Sequence, residues 1–167
     1  SIVGISQILP GLTLARMLKE KYPHLHITLG GPIFSVNSKQ LMGHPEFFQE
    51  FCDSIVTFEG EEPLHRLLTT LKNGSTLKNV PNLLFYENGK IEHNKERVEL
   101  RFEEMPPPTF DGLPMDLYLS PYPILPVLQS RGCYWGKCTF CTHSFIYGHR
   151  YGKQRTEQMV DELENLA

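Results

Sequence analysis

The sequence has no apolar run near the ~20 residues that a helix needs to cross a bilayer. It has no basic excess either, because 16 lysines and arginines stand against 19 aspartates and glutamates, so nucleic acid is not an expected partner. No signal-peptide pattern precedes the first apolar residues. These absences favour a globular cytoplasmic protein that binds neither membrane nor nucleic acid, and 167 residues are too few for two large domains.

Cysteine is scarce and unevenly placed. Cys133, Cys138 and Cys141 lie within nine residues, and the fourth cysteine, Cys52, lies far away in an apolar stretch. A disulfide framework usually spreads its cysteines through the chain, whereas a tight cluster without a secretory signal indicates thiolate ligands in a reducing compartment. Cys52 is predicted to be a small buried residue of the core.

Strand and helix patterns alternate over the first 75 residues. Short apolar or β-branched runs predict strands over residues 1–6, 26–29 and 54–58. Apolar residues at helical spacing predict helices over residues 10–22, 41–51 and 63–74. This order predicts an α/β fold with a doubly wound parallel sheet of flavodoxin-like or Rossmann-like type, which binds ligands at the carboxyl ends of its strands. Because such sheets usually have about five or six strands, we expect a partial sheet whose N-terminal part has been cut away.

The pattern changes after Gly74. Residues 82–93 hold two strand-like runs around an Asn-Gly pair, which predicts a β-hairpin. The prolines among residues 95–123 predict an extended linker. A further strand is predicted over residues 124–129, just before the cysteines, and a helix over residues 156–167.

The expected organisation therefore has three parts. Residues 1–75 form the α/β domain, residues 76–123 form the hairpin and the Pro-rich linker, and residues 124–167 begin a second domain with the cysteine motif.

The clustered cysteines predict a metal centre. Thiolates that lie so close together repel one another when ionised, and a bound cation or cluster would stabilise them. Three cysteines can hold a cubane iron–sulfur cluster if the fourth iron takes an external ligand. The same three cysteines with His143 or His149 could instead form a zinc site. The spacing alone leaves both alternatives open.

The cysteine segment resembles the start of the radical S-adenosylmethionine (radical SAM) domain. The resemblance lies in Gln129-Ser130-Arg131-Gly132-Cys133 and in Cys138-Thr139-Phe140-Cys141, although four residues rather than the usual three separate the first two cysteines. It implies that Cys133, Cys138 and Cys141 hold a 4Fe-4S cluster and that Phe140 lies beside the bound cofactor. It also implies that S-adenosylmethionine binds the open iron and is cleaved reductively to a 5′-deoxyadenosyl radical, and that residues 124–167 form the first βα unit of a barrel.

The N-terminal segment resembles the cobalamin-binding domain that precedes this barrel in one branch of the superfamily. Ser6-Gln7-Ile8 is similar to a Ser-x-Leu motif whose serine contacts the lower nucleotide tail of cobalamin, and Gly30 and Gly31 are similar to a Gly-Gly pair that leaves room for that tail. Glu59-Gly60-Glu61 resembles a Gly-Glu-Gly-Glu turn of the same branch. The sequence contains no Asp-x-His-x-x-Gly motif, so the resemblance implies lower-tail contacts only.

Together the two resemblances predict a radical SAM Fe-S oxidoreductase or methyltransferase, associated with cobalamin and acting on a small molecule or a peptide. Because only the first βα unit of the barrel is predicted, we expect this chain to be a fragment that is inactive by itself. The partial sheet would expose a strand edge, which predicts a dimer. The alternative function is a zinc-binding interaction module that uses the three cysteines and a nearby histidine.

Overall fold

The computed structural model describes residues 1–94, 96–98 and 101–166. In these ranges the strands are β1 (Thr28–Gly30), β2 (Ser54–Val56), β3 (Leu83–Glu87), β4 (Lys90–His93), β5 (Ser130–Gly132) and β6 (Tyr151–Lys153). The helices are α1 (Ile8–Lys21), α2 (Pro32–Val36), α3 (Ser38–Leu41), α4 (Pro45–Phe51), α5 (Glu61–Lys72), α6 (His143–Ile146) and α7 (Thr156–Leu166). None of the helices in the described ranges is long and apolar enough to cross a membrane.

The larger sheet has the strand order β1-β2-β3-β4 and confirms the predicted α/β class. β1 and β2 run parallel, with Gly30 opposite Val56. The predicted hairpin forms, and Asn88 and Gly89 both have the positive φ angles that a two-residue hairpin turn requires. β3 pairs antiparallel with β2, so the hairpin extends the same sheet and makes it mixed.

Apolar side chains cover both faces of this sheet. Neighbouring residues of one strand point to opposite faces, and Ile55 and Val56 accordingly belong to two different clusters of buried residues. The first cluster lies under α1 and α4 and contains Cys52, which is 1% exposed, so the predicted core position of Cys52 is confirmed. The second cluster includes Leu67 of α5. The sheet is therefore the middle layer of three, as expected for a doubly wound fold.

The strand predicted over residues 1–6 is wrong. The Ile2 N–H donates to the Gly30 carbonyl at 2.7 Å, but the chain then turns into a 3-10 helix, Ile5–Gln7, that leads into α1. The side-chain oxygen of Gln7 accepts hydrogen bonds from the backbone N–H groups of Val3 and Gly4, at 2.8 and 3.2 Å, and closes this turn. A local side-chain bond to the backbone has replaced the strand ladder.

The strand predicted over residues 124–129 is also wrong. Pro121, Pro123 and Pro126 remove backbone donors from this stretch, and the strand begins only at Ser130. It pairs antiparallel with β6, with Arg131 opposite Gly152, so β5 and β6 form a two-stranded ribbon on either side of the cysteine loop. The helix predicted next forms as α7.

The remaining predictions hold in part. α1 and α5 lie where the periodicity predicts them. The helix predicted over residues 41–51 is shorter, because α4 begins only at Pro45, and α2 and α3 precede it unpredicted. The described residues between 96 and 123 contain only two short 3-10 turns, in agreement with an extended linker. Dimerisation through a sheet edge stays a prediction.

At Gly31 the neighbouring backbone excludes a side chain. Its φ is +123°, and a Cβ there would overlap the backbone carbonyl of Ile2. Gly74 also has a positive φ, +63°, but a Cβ there would meet no atom within 4 Å. We expect Gly31→Ala to lower the free energy of unfolding by about 2–4 kcal/mol and Gly74→Ala by about 1 kcal/mol. Urea denaturation of both variants measures the free energy of unfolding. An equal decrease in the two variants would contradict the close approach of the Ile2 backbone to Gly31.

Candidate functional site

The carboxyl ends of β1 and β2 meet at one edge of the sheet because the two strands are parallel. After β1 the chain passes through Gly31 into α2, and after β2 it passes through residues 57–60 into α5. This second loop is tightly held. The Asn82 carbonyl accepts hydrogen bonds from the backbone N–H and the hydroxyl of Thr57, both at 2.9 Å, and the Phe58 N–H donates to Ser35 Oγ at 2.7 Å. The edge thus has two ordered loops.

A cavity of about 430 Å³ lies at this edge. Its walls include Gly30 and Gly31 from the first loop, Glu59 and Glu61 from the second, and Arg131 and Tyr147 from the cysteine segment. Its volume falls in the range of small-molecule sites. The structure therefore brings together the two glycines and the acidic loop that the sequence singled out. Ser6 lies elsewhere, exposed on the 3-10 turn before α1.

A network of charges closes the edge against the cysteine segment. The side chain of Glu59 is only 5% exposed, and its two oxygens lie 3.4 Å from Arg131 Nη1 and 3.1 Å from Arg150 Nη2. Arg131 Nη1 also lies 2.7 Å from a Glu61 oxygen. Burial raises the pKa of Glu59, and its hydrogen bond and ion pair with Arg131 act in the opposite direction.

The sequence reasoning did not find this network. Glu59 and its partners Arg131 and Arg150 are 72 and 91 residues apart in the chain, and no local periodicity connects residues at such distances. The available signal was that Glu59 follows a strand while the two arginines flank the cysteine cluster.

The cysteine loop begins directly after β5. The Cys133 N–H donates to the Arg150 carbonyl at 3.1 Å, and the Gly136 N–H points to Cys133 Sγ at 3.4 Å. Hydrogen bonds from the backbone of Gly136 and Trp135 lower the pKa of the Cys133 thiol. Gly136 has a φ of +60°, which allows the chain to turn back toward the sulfur. This end of the loop is therefore built to stabilise a thiolate.

The other predicted residues of the loop face solvent. Cys138 and Cys141 are exposed free thiols, and the Cys141 N–H donates to the Cys138 carbonyl at 3.3 Å. Phe140 is 89% exposed, and its place beside a bound cofactor stays a prediction. His143 Nε2 contacts the Gly132 carbonyl at 3.2 Å.

The cysteine loop has the donor types of a metal site, but its side chains are spread apart. Within residues 1–94, 96–98 and 101–166, no three histidine, cysteine, aspartate or glutamate side chains are gathered closely enough to hold a metal ion. The donors nevertheless suit an iron–sulfur cluster in their chemistry, because the loop has three free thiols and an N–H group directed at one sulfur. The assignment of Cys133, Cys138 and Cys141 as metal ligands stays a prediction.

Comparison with known proteins connects the chain to methyltransferases. It is 32% identical over 174 residues to an uncharacterized methyltransferase of Pyrococcus horikoshii, an alignment that covers 99% of the chain and 36% of that protein. It is 27% identical over 168 residues to the hopanoid C-3 methylase of Methylococcus capsulatus, covering 93% of the chain and 29% of the methylase. The chain thus spans about a third of the length of these curated relatives. No family model matches it.

A solved structure has the same fold. This is the radical S-adenosylmethionine methyltransferase TsrM of Kitasatospora setae, determined with cobalamin and a [4Fe-4S] cluster bound. The TM-score is 0.59 at 21% sequence identity, and the match covers 93% of this chain and 31% of the TsrM chain. The match covers both the sheet and the cysteine segment, so the order of these two parts along the chain is the same as in a known fold.

The four thiols should differ sharply in reactivity. Burial raises the pKa of Cys52 to about 12, and the side chain is 1% exposed, whereas Cys138 and Cys141 are exposed and Cys133 is partly exposed. We expect a chromogenic disulfide reagent at pH 8 to titrate three thiols rapidly in the metal-free chain and the fourth only after unfolding. A Cys52→Ala variant should retain the three rapid thiols and lose the slow one. Four rapid thiols in the parent chain would contradict the core position of Cys52.

Proposed function

We propose that the protein to which this chain belongs is a radical SAM methyltransferase. The reason is that the chain is a relative of the radical SAM proteins that carry a cobalamin-binding domain. The enzyme would cleave S-adenosylmethionine reductively and use cobalamin as its second cofactor. The observation that carries this proposal is the position of the three-thiol loop. Its ribbon lies directly against the ligand edge of the α/β sheet, joined to it through Glu59.

Cys133, Cys138 and Cys141 would hold the 4Fe-4S cluster. Such a cluster, when bound by three cysteines, supplies an electron and one open iron for S-adenosylmethionine. The chain's own part is to present the three thiolates. The Gly136 N–H stabilises the thiolate of Cys133, and the left-handed turn at Gly136 gives that N–H its direction. Trp135 and Phe140, which are exposed in the structure, would be available to cover the bound group.

The cavity at the sheet edge would hold the lower nucleotide tail of cobalamin. Gly30 and Gly31 line its wall, and the missing side chain of Gly30 leaves space there. Apolar side chains such as Leu29 and Val56 suit an aromatic ring. Ser6 would not share in this contact from its place on the 3-10 turn, since it does not line the cavity. Gly30 and Gly31 are therefore the tail-binding residues of the proposal.

Methyl transfer is supported by two curated relatives, named as a methyltransferase and a methylase, and by the solved structure of the same fold, which is a methyltransferase. A third relative, from Priestia megaterium, is named as a 4'-phospho-dehydrooxetanocin synthase. The three free thiols of the loop require a reducing environment, which supports a cytoplasmic location.

Anaerobic reconstitution tests the cluster. After incubation with iron, sulfide and reductant, we expect the chain to gain a broad absorption shoulder near ~400 nm and about four irons per chain. Single replacement of Cys133, Cys138 or Cys141 by Ala should abolish this absorption, because each removes one of three ligands. Cys52→Ala is the matched control and should reconstitute like the parent. A colourless protein that takes up zinc instead would support the zinc-binding module and contradict the proposal.

Cobalamin binding tests the cavity separately. A Cβ at Gly30 would make only ordinary contacts, the nearest being the Val56 carbonyl at 3.5 Å, so Gly30→Val should fold and narrow the cavity. We expect the affinity for hydroxocobalamin, measured by equilibrium dialysis, to fall by about tenfold or more in this variant. Gly43→Val, at an exposed turn remote from the cavity, is the control. Unchanged affinity in Gly30→Val would show that the tail does not bind beside Gly30.

A further inference from the structure

Glu59 is a buried carboxylate whose two oxygens serve two different arginines. Oε1 lies 3.4 Å from Arg131 Nη1, and Oε2 lies 3.1 Å from Arg150 Nη2. The backbone around Glu59 is itself fixed, because the buried side chain of Asn82 donates to the Glu59 carbonyl at 3.3 Å. The carboxylate is thus a rigid point at the carboxyl edge of the sheet.

The two arginines belong to the two chain segments of the cysteine ribbon. Arg131 is in β5, two residues before Cys133, and Arg150 immediately precedes β6. The Arg150 carbonyl accepts the hydrogen bond of the Cys133 N–H at 3.1 Å. Arg150 therefore holds Cys133 through its backbone and Glu59 through its side chain. Glu59 therefore contacts both chain segments of the ribbon, the one before the cysteine loop and the one after it.

The surroundings make this contact specific. The guanidinium of Arg131 lies over the rings of Phe102 and Tyr147, with distances of 5.5 and 5.9 Å to their centroids. Its side chain is only 14% exposed, so its direction is restricted by packing. A buried carboxylate is costly unless it is paired. The buried carboxylate therefore favours the position of the loop in which both arginines meet Glu59, and Glu61 holds Arg131 in addition at 2.7 Å.

We propose that Glu59 is a positioning residue that sets the orientation of the cysteine loop relative to the carboxyl edge of the sheet through Arg131 and Arg150. This inference rests on the proposed function for what the loop holds. By fixing both strands of the ribbon, Glu59 would set the distance between a group held by the thiols and a ligand in the cavity.

Hydrogen exchange of the metal-free chain tests the positioning directly. Glu59→Gln keeps the shape of the side chain and removes the charge that both arginines share. We expect amide exchange in β5, at Cys133 and in β6 to accelerate by about tenfold or more, while exchange in β2 and β3 stays as in the parent. Glu62→Gln is the matched control, since Glu62 pairs with Arg66 on its own helix, away from the ribbon. Equal acceleration throughout the sheet, or none in the ribbon, would overturn the proposal.

A second variant covers the case in which Glu59→Gln does not fold. Arg150→Gln removes one arm of the contact at a side chain that is 43% exposed and leaves Glu59 paired with Arg131. The acceleration should again be confined to the ribbon and its loop, and it should be smaller. Unchanged exchange in Arg150→Gln would overturn the role of this arm.

Spectroscopy separates positioning from mere stabilisation. After anaerobic reconstitution and reduction, we expect the electron paramagnetic resonance spectrum of the cluster to be altered in Glu59→Gln and unaltered in Glu62→Gln. Faster ribbon exchange with an unaltered spectrum would overturn the positioning role and leave Glu59 a stabilising residue. If the parent assembles no cluster at all, the proposed function fails, while acceleration confined to the ribbon in Glu59→Gln still supports the contact between Glu59 and the cysteine loop.

Discussion

The pairing of one buried carboxylate with two arginines is the interaction on which the arrangement of this protein depends. Glu59 belongs to the loop after β2, and Arg131 and Arg150 belong to the ribbon that carries the cysteines. The cysteine segment also contacts the sheet domain through Arg131 and Glu61, at 2.7 Å, and through the rings of Phe145 and Phe58, but Glu59 is the one carboxylate among these groups that is buried. Burial makes the contact decisive, since a desolvated charge tolerates few alternative geometries.

The sheet provides the rigid support that this contact needs. Leu83, Leu84 and Phe85 of β3 are fully buried, and Ile55 of β2 is buried with them. Asn82, at the start of this strand, then holds the loop from Thr57 to Glu59 by its backbone carbonyl and its side chain. The hairpin thus does more than extend the sheet, because it fixes the acidic loop at the ligand edge.

Two features of different chemistry consequently face a common region. One is a cavity of about 430 Å³ beside Gly30 and Gly31, and the other is a loop with three free thiols. Arg131 and Tyr147 line the cavity and also belong to the cysteine segment, so the two features share a wall. The shared wall places the two features side by side, which supports the proposed use of both by one enzyme.

The sequence by itself determined the features that depend on local pattern. Four features follow from residues near one another in the chain. They are the periodicity of α5, the Asn88-Gly89 turn, the core position of Cys52 and the clustering of three cysteines. Apolar periodicity and turn chemistry act over a few residues, which is why these predictions succeeded.

Only the tertiary structure decided the rest. Residues 1–6 have the composition of a strand, but Gln7 turns the chain into a helix, and β5 finds its partner in β6 across the whole cysteine loop. The pairing of Glu59 with Arg131 and Arg150 likewise joins residues 72 and 91 positions apart. Such contacts depend on burial and charge in the folded chain. No short-range pattern in the sequence encodes which distant residue will form the pair.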